Sequence, residues 1–263
     1  GNTNEYFGGI AEGEPLYQVV AYKMKHIIRT PEQLAAALYD SYSKGYNPDD
    51  GTTVKGRKNM GDYEWVNRPG TTKAVVTGEE VEQINSEDKF VIGYSVPHST
   101  GGLSNTFRYK GLSLNVYLDW AIGHTIRHAQ MARQFINTFT GNTALNAGVL
   151  DTWSPQNPDA KYARFYSGGE SVSANFKNDS DVFAFKGDYL CVRELSLAWD
   201  LPKKFVSKLG MQGASITLAG NNLHYFTAVP GVSPEVGTMS TNAAGYNNYP
   251  PIRRISLGIK VIF

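Results

Sequence analysis

Two histidines spaced four residues apart are the first residues in the sequence that could bind a metal. His124 and His128 would share one face of a helix, which is the spacing that zinc ligands use in helical sites. No glutamate follows His124 as in His-Glu-x-x-His, and no third ligand is evident. Asp179 and Asp181 resemble half of a calcium loop, but such carboxylates more often face solvent. We therefore predict no bound metal, and we interpret the histidines as polar residues at the base of a loop.

The sequence also lacks the common catalytic signatures. It has no Gly-x-Ser-x-Gly elbow, no phosphate-binding loop and no dinucleotide fingerprint. Nothing singles out a pair of carboxylates for glycoside hydrolysis, although sequence alone leaves that chemistry open. We expect a protein that is not an enzyme and that needs no cofactor.

Four aromatic residues in one long link are better candidates for recognition. Trp153, Tyr162, Phe165 and Tyr166 are interleaved with asparagine, aspartate and lysine. Flat rings beside hydrogen-bonding groups suit sugar or peptide binding. The same rings suit packing against a partner protein or within the link itself. We favour packing, and we keep all four as candidate substrate or partner contacts.

Charge and composition exclude several classes of protein. The 263 residues carry a formal net charge of +1, and no basic stripe suggests a nucleic-acid partner. No run of about 18 apolar residues predicts a transmembrane helix. The opening "GNTNEYFGGI" lacks the charged and apolar regions of a signal peptide. Aromatic residues make up 12% of the chain, and together with 27 glycines they favour strands and turns over helices.

Cys191 is the only cysteine in the sequence. An internal disulfide and a cysteine-cluster zinc site are therefore excluded for these residues. Cys191 lies on the same alternation as Leu195, which predicts that it packs within a strand on the same side.

Alternating apolar and polar residues predict five clear strands. In the closing sequence "RRISLGIKVIF", five apolar residues occupy alternate positions and Ser256, Gly258 and Lys260 lie between them. A weaker sixth strand is predicted from Pro15 to Met24. The five clear strands cover residues 99–109, 111–121, 186–201, 212–225 and 255–263.

One segment has the pattern of a helix. In "TPEQLAAALYDSY", Thr30 is the expected N-cap, Pro31 takes the first helical position and Gln33 completes a capping box. Two more short helices fit "IRHAQMARQFINTF" and "KKFVSKL". The sequence is therefore mainly β.

The links between the strands alternate strictly in length. Short links follow residues 109 and 201, whereas the long links span 25–97, 122–184 and 226–249. A transmembrane β-barrel has this alternation, because it has short turns at one end and long loops at the other. A soluble β-sandwich, whose inner faces are also apolar, is the alternative.

The fold prediction is therefore an all-β, antiparallel transmembrane β-barrel segment. Residues 1–24 would hold a first strand, and residues 25–97 would form a long outer loop with a short helix. Residues 98–263 would hold the remaining strands, with 122–184 and 226–249 as outer loops.

Aromatic residues near the predicted strand ends have an expected place in such a barrel. Aromatic girdles mark the two membrane interfaces of outer-membrane barrels. Trp120, Trp199, Tyr225 and Phe263 lie at positions that suit these girdles.

Several ordered motifs resemble those of one known family. "VRELSLAWDLPKKF" is similar to its Leu-Arg-x-Leu-x-Leu-x-Tyr strand and Leu-Pro-Lys turn, and "NNLHYF" to its Asn-Leu-aromatic strand end. "PGVSPEV" looks like its Gly-x-Asp-Pro-Glu, and "YPPIRRISLGIKVIF" like its Tyr-Pro-x-x-Arg segment and terminal strand. "EDKFVIGYSVPHSTGGLSNTFRYKG" resembles its Asp-Arg-x-x-Ile-Gly stretch and the segment after it. The chain thus resembles the SusC/RagA-type TonB-linked outer-membrane transporters of Bacteroidota.

The sequence departs from the family pattern at one acidic run. The family often has Asp-x-Asn-x-Asp-Gly where this chain has "GDYEWVNRPGTTK", which keeps only Asp62, Glu64 and Asn67. A calcium loop needs several oxygen ligands at regular spacing. This departure again predicts no metal.

The resemblance implies a function and a set of partners. It implies part of a bacterial outer-membrane transporter that imports glycans or peptides with a SusD-like surface lipoprotein and energy from the TonB complex. Family barrels have about 22 strands around a plug, so the remainder of the barrel and its plug are expected partners. Phe263 looks like the terminal aromatic signal that the barrel-assembly machinery reads. The alternative is a secreted, soluble β-sandwich that binds glycans, or a carbohydrate-active enzyme domain of that architecture.

Overall fold

The computed structural model of this chain describes residues 13, 17–41, 43–46, 53–136, 147–165, 175–177, 179–235 and 251–263. Seventeen strands and three short α-helices lie within these ranges. The α-helices are α1 (Pro31–Ala35), α2 (Ala129–Ile136) and α3 (Lys203–Val206). The strands are β1 (Gln18–Tyr22), β2 (Met24–Ile27), β3 (Tyr39–Asp40), β4 (Lys44–Tyr46), β5 (Thr53–Lys55), β6 (Tyr63–Trp65), β7 (Ala74–Val76), β8 (Glu79–Val81), β9 (Gln83–Ile84), β10 (Lys89–Tyr94), β11 (Ser99–Tyr109), β12 (Leu112–Ile122), β13 (Thr125–Arg127), β14 (Ala184–Lys186), β15 (Tyr189–Asp200), β16 (Gly213–Thr227) and β17 (Arg254–Ile262).

Five long strands form one antiparallel sheet, here called the main sheet. Its spatial order is β11-β12-β15-β16-β17, which is also the order in the chain. These are the five strands that alternation predicts, and the prediction of an all-β antiparallel fold is confirmed. The main sheet is open rather than closed, because β11 and β17 each pair along one edge only in the described residues.

One face of the main sheet is apolar, and it is here called the apolar face. Directly paired residues of an antiparallel sheet point to the same side. Phe107, Leu114, Leu197, Leu218 and Leu257 are paired in turn and form one row across all five strands. Phe107 is 56% exposed and Leu257 is 68% exposed, so this row lies open.

The opposite side of the main sheet is here called the polar face. The next row of paired residues consists of Arg108, Ser113, Ala198, Thr217 and Gly258. The two rows have opposite character, as alternation predicts for strands between an apolar and a polar environment.

The soluble β-sandwich alternative is wrong for the described part of the chain. The other sheets there have only two strands each, and none of them covers the exposed row on the apolar face. A sandwich would bury such a face against a second sheet.

Short connections join the strands at one end of the main sheet. Lys110 and Gly111 link β11 to β12 with φ values of 46° and 83°, as a two-residue hairpin turn requires. Helix α3 and a 3₁₀ turn (Ser207–Leu209) link β15 to β16. The predicted short helix in "KKFVSKL" is confirmed.

The long links fold together into a second region, here called the loop layer. It comprises the described residues of 17–98 and 123–188, and it holds six two-stranded sheets. Tyr63, Trp65, Phe135, Phe176 and Phe183 are at most 1% exposed and form its core. The largest buried side chains of the described residues therefore lie in the links.

The strand β1 corrects one prediction. It forms as expected but pairs with β10 in the loop layer, so it is not a sixth strand of the main sheet. Val19 is 2% exposed and Gln18 is 6% exposed, although they point to opposite sides of the strand. A strand that is buried on both sides has no lipid-facing row, so placing the first barrel strand at 1–24 was wrong.

The predicted capping box at the start of α1 is confirmed. The backbone N–H of Gln33 donates to Thr30 Oγ1 at 3.3 Å, and Gln33 Oε1 accepts from the backbone N–H of Thr30 at 3.2 Å. Helix α2 forms within the predicted "IRHAQMARQFINTF". Among the described residues, no helix combines the length and apolar character needed to span a bilayer.

Candidate functional site on the polar face

One arginine on the polar face of the main sheet gathers three segments of the chain. Arg193 donates from Nε to Asp119 Oδ1 at 2.8 Å and from Nη2 to Asp119 Oδ2 at 2.7 Å. Its Nη1 donates to Asn222 Oδ1 at 2.9 Å and to the Tyr225 hydroxyl at 3.2 Å. Its Nη2 also donates to Glu235, which lies in the link after β16. These five residues are called the Arg193 cluster.

A β-bulge places Arg193 in this cluster. Between β12 and β15, Tyr117 pairs with Glu194 and Leu118 pairs with Val192, so Arg193 is an extra residue without a partner in the register. A bulge re-aims the side chain of the extra residue. The guanidinium thereby reaches carboxylates on the polar face.

The opposite strand is irregular at the same level. Val192 of β15 pairs with His224 of β16, and Glu194 pairs with Asn221. Asn222 and Leu223 therefore have no partner in the register. Asn222 has a φ of 50°, a left-handed conformation that asparagine tolerates better than most residues. This backbone turns the Asn222 side chain toward the guanidinium.

Residues 228–235, here called the strap, connect the loop layer to the Arg193 cluster. Val229 is 5% exposed and packs against Ile126 of β13. The carbonyl oxygen of Pro230 accepts a hydrogen bond from His128 Nε2 at 2.9 Å. The strap is therefore fixed to the loop layer at its start and to the main sheet at its end, through Glu235.

The cluster is suited to holding position rather than to reaction chemistry. Arginine remains protonated at physiological pH, so it does not exchange protons with its two carboxylates. Bidentate, charge-assisted hydrogen bonds of this kind are strong and directional. Sequence reasoning missed the site, although Arg193, Asn222 and Glu235 all lie in the motifs that carry the family resemblance.

Two of the predicted contact aromatics pack inside the loop layer. The ring centroid of Tyr162 lies 4.6 Å from that of Phe135. Phe165 stacks on Phe176 with a centroid distance of 4.7 Å. Tyr162 is only 6% exposed, so packing within the links describes both residues better than ligand contact.

Trp153 also packs within the loop layer. It lies against the hydrophobic core, and its ring covers Gly61 so closely that an added Cβ would be 2.1 Å from Trp153 Cε3. Packing within the links, which we favour from the sequence, therefore describes Trp153 better than a substrate or partner contact. Tyr166, the fourth candidate, lies outside the described residues.

The two histidines are packed inside the loop layer. His128 Nε2 is bonded to Pro230, and His128 Nδ1 accepts from the backbone N–H of Met131 at 3.1 Å. The His124 ring lies against Gly187, where an added Cβ would be 2.3 Å from Nε2. Burial lowers the pKa of both histidines. Both rings serve as packed polar residues of the loop layer.

The carboxylates that were considered as calcium ligands are engaged inside the protein. Asp179 accepts from Lys89 Nζ at 2.8 Å and from Arg127 Nη1 at 2.9 Å. Burial opposes its ionisation, but these two cations prevail and hold the pKa of Asp179 below its usual value. Asp181 Oδ1 accepts from the backbone N–H of Met24 at 2.9 Å.

The acidic run that departs from the family pattern is also engaged. Glu64 pairs with Lys58 at 2.9 Å, and Asp62 Oδ2 accepts from the backbone N–H of Asn59 at 2.7 Å. Within the described ranges, no three histidine, cysteine, aspartate or glutamate side chains are grouped so that they could hold a metal ion.

Three of the four predicted girdle residues lie on the apolar face or directly follow it in the alternation. Trp199 pairs with Leu112 on the apolar face at the short-link end, and Trp120 lies on the same face at the other end. Phe263 follows β17 directly and is 82% exposed. Their role in a membrane girdle stays a prediction.

Tyr225 corrects the fourth girdle prediction. It pairs with Cys191, which pairs with Asp119, so all three lie on the polar face. Within β16, Tyr225 keeps the alternation of Thr217 on the polar face, and Phe226 takes the apolar face with 58% exposure. In β15, the bulge at Arg193 shifts the alternation by one residue. The same shift moves Cys191, which is fully buried, to the side opposite Leu195.

Comparison with known proteins identifies relatives of this chain. No family model matches it. It is 24% identical over 262 residues to the "TonB-dependent receptor P3" of Formosa agariphila, a match that covers 97% of this chain and 23% of the relative. It is 30% identical over 190 residues to the "TonB-dependent receptor P26" of the same organism, covering 68% of this chain and 18% of the relative. The chain spans less than a quarter of the length of either relative.

Solved structures share the fold. The RagAB peptide transporter aligns with a TM-score of 0.55 at 20% identity, over 83% of this chain and 24% of the solved chain. The RagAB peptide importer in its closed-closed state aligns with a TM-score of 0.56 at 21% identity, over the same shares. The chain is thus similar in sequence to TonB-dependent receptors and shares its fold with chains of the RagAB transporter, in agreement with the motifs.

Proposed function

We propose that this chain serves as part of a TonB-dependent transporter in the bacterial outer membrane, which imports peptides or glycans together with a SusD-like surface lipoprotein. The main sheet forms part of the barrel wall, and the remainder of the barrel and its plug complete the pore. The TonB complex supplies the energy. The chain carries out no covalent chemistry.

The open apolar face of the main sheet is the observation that carries this proposal. Its rows of apolar side chains are exposed in all five strands, whereas the opposite face is polar. The strands have 9 to 15 residues, and about 9–11 tilted residues are enough to cross a bilayer. The solved relatives that share the fold are named as peptide transporters or importers, which favours peptides over glycans.

The orientation follows from the two ends of the main sheet. Outer-membrane barrels have short turns on the periplasmic side and longer loops outside, so the short-link end would face the periplasm. The loop layer then lies outside the cell, where it forms the vestibule and faces the lipoprotein. The Arg193 cluster holds the strap at the junction between the barrel wall and this vestibule.

Membrane extraction and growth test the proposal in the source bacterium. The intact protein is expected in the detergent-extracted outer-membrane fraction, with an electrophoretic mobility that changes on boiling. Deletion of its gene is expected to abolish growth on one class of peptide or glycan supplied as the sole nutrient. A protein that stays soluble without detergent, with mobility unaffected by boiling, would refute the proposal.

A further inference from the structure

A groove in the loop layer is lined by residues from a single link, 25–97. Its cavity has a volume of about 400 Å³ and lies between α1 and the hairpin of β7 and β8. Apolar walls come from Leu34, Leu38, Val76 and Val81. None of the residues that line it belongs to the main sheet.

The groove has a preformed wall. Tyr39 lies directly on Gly56, where an added Cβ would be 1.8 Å from Tyr39 Cε2. Gly56 also has a φ of 83°, which favours glycine over any residue with a side chain. The tyrosine ring is thereby fixed against the backbone beside the apolar floor.

The rim of the groove carries uncompensated positive charge. Lys55 and Arg57 are exposed lining residues, and neither has an ion-pair partner among the described residues. Glu82 is the one carboxylate among the lining residues, and it is already bound to Lys73 at 3.2 Å and to Asn67 at 3.1 Å. The groove therefore presents two free cations beside an apolar floor.

The hairpin extends the apolar surface beyond the groove. Val75, between Ala74 and Val76 in β7, is 72% exposed. The tip turns through Thr77 and Gly78 with φ values of 51° and 87°, as a tight hairpin turn requires. An apolar centre with a charged rim is the usual anatomy of a protein interface.

We propose that this groove docks an acidic segment of the surface lipoprotein. One apolar side chain of that segment enters between Leu34 and Val81, and flanking carboxylates bind Lys55 and Arg57. A single anchor residue in a pocket often dominates such an interface. This inference rests on the proposed function, because the lipoprotein enters through it.

Site-specific crosslinking tests the location. A photoreactive phenylalanine analogue replaces Val75 in the intact transporter, which is illuminated in cells and purified in detergent. The expected result is a covalent adduct with the lipoprotein, absent when the analogue replaces Leu209 at the short-link end, where the side chain is 72% exposed. A lipoprotein that copurifies without any adduct, or an adduct with a second copy of this chain or with substrate peptide, overturns the docking proposal and leaves the proposed function standing.

Charge reversal tests the chemistry. The double substitution Lys55→Glu and Arg57→Glu is expected to raise the dissociation constant for the lipoprotein at least tenfold at about 0.15 M salt. Lys25→Glu is the matched control, since Lys25 is exposed in the same link but does not line the groove. Equal binding by the double variant and the control would overturn the proposal. If no lipoprotein copurifies with the unmodified transporter, the partner in the proposed function fails, and the docking proposal fails with it.

Discussion

The main sheet and the loop layer use their apolar residues in opposite ways. In the loop layer, Phe135 and Trp65 are 0% and 1% exposed. In the main sheet, Leu257 and Ile259 are 68% and 69% exposed. The loop layer buries its apolar groups from water, whereas the main sheet leaves them exposed on one face, as the proposed contact with lipid requires.

The loop layer also contains the most deeply buried ion pairs of the described residues. Lys58 and Glu64 form an ion pair in the loop layer with side chains 0% and 3% exposed. Lys177 pairs with the fully buried Asp40 at 3.1 Å. Burial lowers the pKa of Lys177, and the neighbouring carboxylate opposes that shift. Such pairs are costly to break on one side, so the loop layer depends on native packing more than the main sheet does.

The largest expected effect is the difference in stability loss when a phenylalanine is replaced by alanine in each of the two regions. Phe135→Ala should destabilise the loop layer by about 3–5 kcal/mol, because it opens a cavity among four aromatic rings. Phe107→Ala on the apolar face should change stability by less than about 1 kcal/mol in detergent, because its side chain is exposed. Native-state proteolysis of the intact transporter measures both. Equal losses of stability in the two variants would contradict the difference between the buried loop layer and the exposed apolar face.

The second effect compares an arginine placed on the apolar face of the main sheet with one placed on the polar face. Leu257→Arg should reduce assembly into the outer membrane, since arginine on a lipid-facing position costs about 2–4 kcal/mol at the bilayer midplane. Ser256→Arg on the polar face should cost far less. The boiling-sensitive fraction in outer membranes measures assembly. Normal amounts of the Leu257 variant would mean that this face does not meet lipid.

The third effect concerns the junction between the regions. Arg193→Lys should weaken attachment of the strap by about 1–2 kcal/mol, because lysine keeps the charge but loses the bidentate geometry. Arg108→Lys, an exposed change on the same face, is the control. Protease cleavage within residues 228–235 gives the readout. Unchanged cleavage would show that Glu235 does not hold the strap.

The smallest expected effect is a pH dependence of the strap. Burial lowers the pKa of His128, so the folded protein resists protonation that the unfolded chain accepts below about pH 6.5. The contribution of neutral His128 to the free energy of unfolding is therefore complete above this pH. It is lost as the pH falls toward the pKa of His128 in the folded protein, by at most about 1.4 kcal/mol per pH unit. Strap cleavage should accelerate between pH 7.5 and 5.5, and less so in His128→Gln. Identical pH profiles would exclude His128 as the cause.

Alternation in the sequence was enough to predict the main sheet. Its signal is local, because every second residue faces the same surroundings. The rows through Leu114 and Ser113 show that the predicted faces hold across all five strands. The capping box at Thr30 and Gln33 was equally local, and it is also confirmed.

The loop layer and the Arg193 cluster were beyond this reasoning, because long-range contacts decide them. The bulge at Arg193 moved Cys191 to the face opposite Leu195, and nothing in the alternation itself marks an inserted residue. The strand β1 was recognised, but its partner β10 lies about 70 residues further on, across most of a link. The motifs around Arg193 and Glu235 were visible, but their convergence required the fold.

The loop layer also has a consequence for the order of assembly. Arg29 Nη2 donates to the carbonyl oxygen of Ala160, 131 residues away, and Tyr63 N–H donates to Asn175 Oδ1, 112 residues away. The hairpin of β11 and β12 lies between the two partners of each bond. We therefore expect the layer to close only after that hairpin has brought both links to the same end of the main sheet, because contacts of such long range form slowly. We therefore expect a closed, protease-resistant loop layer to form late in assembly, after the β11–β12 hairpin.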